Sequence, residues 1–119
     1  LGMDRLTFIY DYPASQAALA RVRGEVASRF EAYLNGLELA NGFHELGNAT
    51  EQRARFESDL AARASRGLPA MPIDEHFLAS LVHGLPECSG VALGFDRLVM
   101  CAADAKHLNE VLAFPFERA

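Results

Sequence analysis

The sequence predicts an α+β fold in which an antiparallel sheet is flanked by helices. Asn35-Gly36 lies between two apolar-rich runs, and this dipeptide is the strongest short-range signal for a β-hairpin. The predicted elements run in the order strands, helices, strand and helix, whereas a parallel sheet would require repeating βαβ units. The 119 residues suffice for one domain with a modest core. No linker divides the chain, so we predict a single domain over residues 1–119.

The first predicted elements are strands. Residues 6–10 are rich in β-forming side chains and precede Pro13, which predicts a strand. Residues 14–23 predict only a short turn or helix, and residues 26–45 predict the hairpin. With Asn35-Gly36 as a two-residue loop, the register gives three facing pairs: Leu34 with Leu37, Tyr33 with Glu38, and Glu31 with Ala40.

Two helices are predicted after the hairpin. The first begins at Asn48, with Glu51 as a capping partner, and ends near Gly67. The second begins at Asp74 and ends at Gly84. The side chains predicted to form their inner faces are apolar and follow helical spacing: Phe56, Leu60, Ala64, Phe77, Leu78, Leu81 and Val82. A glycine-bearing strand, a helix capped by Asp96 and a last helical piece over residues 108–112 complete the order.

Composition and charge limit the classes of partner. Half of the residues are hydrophobic and 23% are charged, which is ordinary for a soluble globular protein. A net charge of −5 argues against non-specific binding to DNA or other nucleic acid and suits a protein partner with a basic patch. No apolar run approaches the length of a membrane span. Cys88 and Cys101 are predicted to be buried, reduced thiols of a cytoplasmic protein.

The segment from Ser89 to Met100 combines features of a nucleotide site. A short apolar strand carries two glycines, Gly90 and Gly94, and a helix opens directly afterwards with Asp96 and Arg97. Glycines allow a flat ligand to approach the backbone, and a helix start with an arginine suits phosphate. A glycine-rich strand packed tightly against a neighbour explains the same pattern equally well.

Two glutamates of the hairpin are candidates for a metal site. The predicted register places Glu31, Tyr33 and Glu38 on one face of the sheet, with the two carboxylates as diagonal neighbours roughly 7–8 Å apart at the backbone. One or two carboxylates plus substrate phosphates are a usual set of Mg²⁺ ligands. Spacing alone favours the simpler interpretation, two solvated glutamates on an exposed strand.

Three groups of segments give the chain a family resemblance. The run GVALGFDRLVM at residues 90–100 resembles the third signature motif of class II aminoacyl-tRNA synthetases. Residues 29–31 and 38–46 resemble the amino-acid-binding region of lysyl-tRNA synthetases. Residues 12–19, 43–46 and 86–90 resemble the branch that modifies elongation factor P, the elongation factor P β-lysine ligase family.

The resemblance implies a partial class II catalytic core, the C-terminal part of a homodimeric, ATP-dependent ligase. Such an enzyme activates lysine or β-lysine as an adenylate and transfers it to a lysine of elongation factor P. The resemblance assigns Mg²⁺ to Glu31 and Glu38, and it assigns ATP to Arg97, Gly94 and those two glutamates, with Arg97 also catalytic. It implies an amino-acid pocket lined by Asn41, Phe43, Glu45, Ala92 and Gly90, in which Glu45 meets the side-chain ammonium. Ala92 stands where lysyl-tRNA synthetases tend to carry glycine, and its methyl group would favour a shifted substrate such as β-lysine.

Simpler roles remain for these residues. Phe43 and Ala92 could be core residues, and Asn41 could bond a turn. Strict alternation also places Asn41 and Glu45 on the face opposite Glu38, so a shared pocket requires a bulge, which we predict at Gly42. Two further functions stay open: a lysyl-tRNA synthetase that charges tRNA, and an inactive synthetase-like binding module.

Overall fold

A computed structural model describes residues 1–118 of the chain. Five strands and three α-helices are present in this part, and the sheet is antiparallel, which confirms the α+β prediction. The elements are β1 (Thr7–Pro13), β2 (Val22–Arg23), β3 (Val26–Leu34), β4 (Leu37–His44), α1 (Ala49–Ser65), α2 (Glu75–His83), β5 (Ser89–Leu93) and α3 (Phe95–Ala103), with 3₁₀ turns at Ala14–Gln16, Leu108–Glu110 and Phe116–Arg118. The described residues form two compact units, residues 1–44 with 89–118 and residues 45–88. The single-domain boundary stays a prediction.

The first unit contains the whole sheet. Its strands are ordered β1-β3-β4-β5, and β2 pairs with β3. The loop between β3 and β4 is the predicted two-residue turn, in which Asn35 has φ 52° and Gly36 has φ 78°. Both values are positive, as the type I′ hairpin turn requires. The predicted pairs of Leu34 with Leu37 and of Tyr33 with Glu38 are confirmed.

A bulge in β4 changes the register beyond these two pairs. Ala32 pairs with Ala40 and Glu31 pairs with Asn41, so Leu39 is the extra residue. The predicted pair of Glu31 with Ala40 is therefore wrong. The predicted position of the bulge, Gly42, is also wrong, because the ladder is regular from Ala40 to Phe43. A one-residue bulge reverses the side of every later side chain, so Asn41 lies on the same face as Glu31 and Glu38.

Gly42 has a different structural role. It pairs with Phe30 on the opposite side of the sheet, and a Cβ atom built on Gly42 would overlap the Phe30 ring and lie 3.1 Å from the Gly90 carbonyl oxygen. The Phe30 ring also packs against Phe8, with 6.1 Å between the ring centroids. Gly42 thus makes room for an aromatic ring on the face away from Glu31.

A small core lies where residues 14–22 cross the sheet. Ala17, Ala20 and Ala27 are buried there, and Tyr12, Val22 and Phe43 pack against them. The segment predicted as a short turn or helix contains both a 3₁₀ turn and the short strand β2. Phe43 therefore contributes to the core, which is the simpler of the two roles predicted for it.

The second unit is a pair of helices. Asn48 caps α1 by accepting a hydrogen bond from the Glu51 N–H at 3.0 Å, and Asp74 caps α2 by accepting one from the Phe77 N–H at 2.9 Å. Both predicted starts are confirmed. Leu78 and Leu81 are buried, but Val82 is 77% exposed. Its predicted inward position is wrong, because Val82 lies about 100° around the helix from Leu81.

The end of the chain differs from prediction in two details. The N-cap of α3 is Gly94, which has no side-chain capping bond, so the predicted capping role of Asp96 is wrong. Asp96 lies inside the first turn, where a carboxylate still interacts favourably with the helix dipole. The helical piece predicted over residues 108–112 is a 3₁₀ turn at Leu108–Glu110. Within residues 1–118, no helix is both long and apolar enough to cross a membrane.

We expect Gly42→Ala to destabilise the folded protein by about 1–3 kcal/mol, because the new methyl group displaces the Phe30 ring from its packed position. Urea unfolding of the full-length protein measures the effect. Gly47→Ala is the matched control, because a Cβ at Gly47 meets the Leu85 carbonyl oxygen at 3.6 Å and the Leu85 Cβ at 3.8 Å, both ordinary contact distances. Equal stability of the two variants would contradict the packing role of Gly42.

Candidate active site

Most of the predicted site residues lie on one face of the sheet, here called the Glu31 face. Glu31 pairs with Asn41, and Asn41 pairs with Ala92 on β5. In the next row, Arg29 pairs with Phe43, which pairs with Gly90. Directly opposed residues have their Cα atoms about 4.5–5.5 Å apart, so these six residues form one continuous patch across three strands. The members of the Glu31 face are Tyr12, Arg29, Glu31, Tyr33, Glu38, Asn41, Phe43, Gly90 and Ala92.

Glu31 is a buried carboxylate with three donors, and it is only 7% exposed. The Tyr12 hydroxyl donates to its Oε2 at 2.6 Å and the Tyr33 hydroxyl donates to the same atom at 2.5 Å. The Arg29 guanidinium donates to its Oε1 and forms an ion pair with it. A buried charge is stable only when it is paired and hydrogen-bonded, and these contacts meet that requirement.

The donors determine the ionisation of Glu31. Burial by itself would raise the pKa of this carboxyl, but the hydrogen bonds from both tyrosines and the attraction of Arg29 outweigh burial and hold the pKa below its ordinary value. Burial, and the bond to the carboxylate, raise the pKa of Tyr12. The bond to Glu31 is also the main reason that the pKa of Tyr33 is raised, and the charge of Glu38 adds to it. Glu31 is therefore an anion held by two neutral phenols and one cation.

Arg29 connects four groups of this unit. Its Nε donates to the Asn41 Oδ1 at 3.2 Å, and its Nη1 donates to the Gln16 carbonyl oxygen at 2.8 Å. The third contact is the ion pair with Glu31. The guanidinium also lies over the Tyr12 ring, 4.4 Å from the ring centroid, which is a cation–π distance. With only 16% of its side chain exposed, Arg29 is an internal part of the face.

Arg97 and Gly94 join α3 to β4 near Glu38. The Arg97 Nη1 donates to the Glu38 carbonyl oxygen at 2.7 Å, and the Gly94 N–H donates to the Leu39 carbonyl oxygen at 2.8 Å. The guanidinium that opens α3 therefore meets the strand that carries the second candidate metal ligand. A Cβ at Gly94 would lie 3.4 Å from the Arg97 side chain, an ordinary van der Waals distance.

Glu45 is assigned to the other unit. It directly follows β4 and belongs to residues 45–88, where its N–H donates to the Cys88 carbonyl oxygen at 3.0 Å. Its place in an amino-acid pocket stays a prediction. Within residues 1–118, no group of three or more His, Cys, Asp or Glu side chains is positioned to hold a metal ion. Cys88 and Cys101 are free thiols, half-buried rather than fully buried.

Three residues of the cluster were missed by sequence reasoning. The predicted register places Tyr33 on the face of Glu31 but gives it no role at the site, whereas its hydroxyl is bonded to Glu31. Tyr12 and Arg29 were given no role at the site. Arg29 and Tyr33 flank Glu31 at two-residue spacing, so strict alternation already placed both on its face. Tyr12 gave no such signal, because its contact depends on an irregularity between Tyr10 and Tyr12 in β1.

The family of the chain follows from comparison with known proteins. A family model described as tRNA synthetases class II (D, K and N) matches residues 2–118. The chain belongs to this class II synthetase family, which confirms the resemblance carried by its motifs.

More specific similarity comes from curated relatives that carry the name "Elongation factor P--(R)-beta-lysine ligase". Those of Hamiltonella defensa subsp. Acyrthosiphon pisum (strain 5AT) and Klebsiella pneumoniae (strain 342) are each 59% identical to this chain, and that of Edwardsiella ictaluri (strain 93-146) is 58% identical. Each match covers 100% of this chain and 38% of the relative. The chain thus spans well under half the length of these relatives.

We expect the stability of the protein to fall in acid through Glu31. Its folded pKa lies below that of the unfolded chain, about 4.3, so its contribution is fully present above that value and is lost as the pH falls through the folded pKa. Glu31→Gln should remove this part of the pH dependence and cost about 2 kcal/mol or more near neutral pH, because Arg29 loses its buried partner.

Urea unfolding between pH 3 and pH 7, without added metal, measures both effects. Glu57→Gln, which neutralises an exposed carboxylate on α1, is the control. A Glu31→Gln curve parallel to that of the unaltered protein would contradict the prediction.

Proposed function

We propose that this chain is part of an ATP-dependent ligase that activates lysine or β-lysine as an adenylate and transfers it to a lysine of elongation factor P. The observation that carries the proposal is the row of Glu31, Asn41 and Ala92 across three strands. The names of relatives 57–59% identical to the chain support the same activity. Because the chain spans 38% of their length, the activity belongs to the full-length protein.

The chemistry requires alignment and charge stabilisation rather than a protein nucleophile. A substrate carboxylate oxygen attacks the α-phosphorus of ATP, forming the adenylate and releasing pyrophosphate. The amine of the acceptor lysine then attacks the acyl carbon and releases AMP. In this scheme Asn41, Phe43, Gly90 and Ala92 line the amino-acid pocket.

Arg97 and Gly94 bind ATP in this proposal. A guanidinium carries five N–H donors, so the bond from Arg97 to the Glu38 carbonyl leaves donors for a phosphate. The hydrogen bonds from Gly94 and Arg97 to β4 support this ATP site, because they attach the start of α3 to the strand that carries Glu38.

Glu31 and Glu38 fit the role of Mg²⁺ ligands together with phosphate oxygens. They lie on one face of neighbouring strands, and Glu31 is held in its ionised form. A carboxylate has about four lone-pair sites, so the three bonds to Glu31 leave one. When bound, Mg²⁺ would neutralise phosphate charge. We also propose that the full-length protein is a cytoplasmic homodimer.

We expect Arg97→Ala to lower pyrophosphate exchange by the full-length protein about 10²–10³-fold, the usual effect of removing one donor from developing charge. ATP–pyrophosphate exchange with lysine or β-lysine is the measurement. Arg5→Ala serves as control, because Arg5 is exposed and forms an ion pair with its neighbour Asp4. No exchange by the unaltered protein with either amino acid would refute the proposed activity.

The acceptor is tested separately. With purified elongation factor P and bulk tRNA offered in parallel, we expect labelled amino acid to appear on the protein. Transfer to tRNA instead would identify a lysyl-tRNA synthetase. An inactive binding module would give neither product, and neither ATP nor Mg²⁺ would change its thermal stability, because a bound ligand stabilises the native state.

Ala92→Gly should shift the preference of the full-length protein from β-lysine towards lysine by about 10-fold, the lower end of what one methyl group contributes in a pocket. The Ala92 side chain is exposed opposite Asn41, so its removal leaves no buried cavity. The ratio of kcat/KM for the two substrates measures the shift. An unchanged ratio would mean that Ala92 does not contact the substrate.

A further inference from the structure

Arg29 is unusual among the polar residues of the Glu31 face because its contacts lie on several sides. It bonds Asn41, Glu31 and the Gln16 carbonyl, and it stacks on the Tyr12 ring. A side chain with so little exposure and so many internal partners is held in one orientation. Arg29 is therefore suited to orienting its neighbours rather than to binding a ligand itself.

The bond from Arg29 determines which end of the Asn41 amide faces it. An arginine has donors and no acceptor, so only the Oδ1 of Asn41 can meet the Arg29 Nε; the opposite orientation would place two donors against each other. The Nδ2 group of Asn41, with its two N–H donors, must then point away from Arg29. Asn41 lies between Glu31 and Ala92 in its row.

We infer that Arg29 is a positioning residue that makes Asn41 a hydrogen-bond donor to a substrate carboxylate. The inference rests on the proposed function, since it assumes that Asn41 faces the amino acid. With the amide reversed, Asn41 would present an acceptor and suit an ammonium group. Arg29 thus determines whether Asn41 binds the carboxylate or the ammonium group of an amino acid.

The test compares two ligands in the full-length protein by calorimetry. Lysine carries the carboxylate, and 1,5-diaminopentane has the same chain without it. Arg29→Lys keeps a positive charge near Glu31 but loses the fork that orients Asn41, so it should weaken lysine binding about 10-fold or more, as expected for a lost bond to a charged group. Binding of 1,5-diaminopentane should change less than about 2-fold. Arg23→Lys is the matched control, an exposed arginine on β2 whose Nη2 lies 3.5 Å from the His44 Nδ1.

Two further variants keep the inference testable if Arg29→Lys folds poorly. Asn41→Asp keeps an acceptor towards Arg29 and removes both N–H donors, so it should lose the same preference for the carboxylate. In the combination of Arg29→Lys with Asn41→Ala, the arginine change should cause no further loss, because it acts through Asn41.

Equal weakening of both ligands by Arg29→Lys would show a general structural role and overturn the inference, as would unchanged lysine binding. Lysine binding unaffected by Asn41→Asp would overturn it too. If the unaltered protein bound no lysine and catalysed no exchange, the proposed function would fail first and the inference with it. An active unaltered protein with indifferent variants would refute the inference alone.

Discussion

The buried charge of Glu31 is the constraint on which the rest of the sheet face depends. A carboxylate that is 7% exposed must recover in hydrogen bonds what it loses in hydration. Its donors come from β1 through Tyr12 and from β3 through Arg29 and Tyr33. Arg29 is half-buried in turn and requires its own acceptors, which are Asn41 on β4 and the Gln16 carbonyl. One ionised group thereby ties three strands and the 3₁₀ turn together.

Two irregularities in the sheet allow these contacts. In β1 the register shifts between Tyr10 and Tyr12, and Asp11 between them has a positive φ of 59°. This turns Tyr12 onto the Glu31 face while Tyr10 remains 70% exposed. In β4 the extra residue Leu39 turns Asn41 onto the same face. Each irregularity thus places one polar side chain, Tyr12 or Asn41, on the Glu31 face, and bulges near functional sites often reorient a side chain in this way.

The same arrangement gives the two sides of the sheet different chemistry. The Glu31 face carries the ionised cluster and the small residues Gly90 and Ala92, whereas the other face carries the Phe8–Phe30 pair, for which Gly42 makes room. A face with a rigid anion, an oriented amide and little side-chain bulk at its β5 edge offers fixed donors and acceptors beside open space. Such a face suits the adenylate chemistry that we propose for the full-length protein, because alignment rather than a protein nucleophile carries that reaction.

The sequence by itself determined what depends on neighbours in the chain. Asn35-Gly36 specified the hairpin because both residues tolerate positive φ, and Asn48 and Asp74 specified helix starts because each side chain reaches a nearby N–H. The signature segments also identified the family, and they pointed to Glu31, Asn41 and Ala92 before any register was known.

Only the tertiary structure decided the positions of the bulges, the partners of Glu31 and the orientation of Asn41. The contact of Tyr12 with Glu31 joins residues 19 apart in the chain, and nothing local to either residue specifies it. The physical reason is that a bulge and a buried ion stabilise each other across strands. The free energy that they gain requires all the donors of Glu31 to be in place at once. These donors lie on different strands, so no short segment of the sequence contains them all.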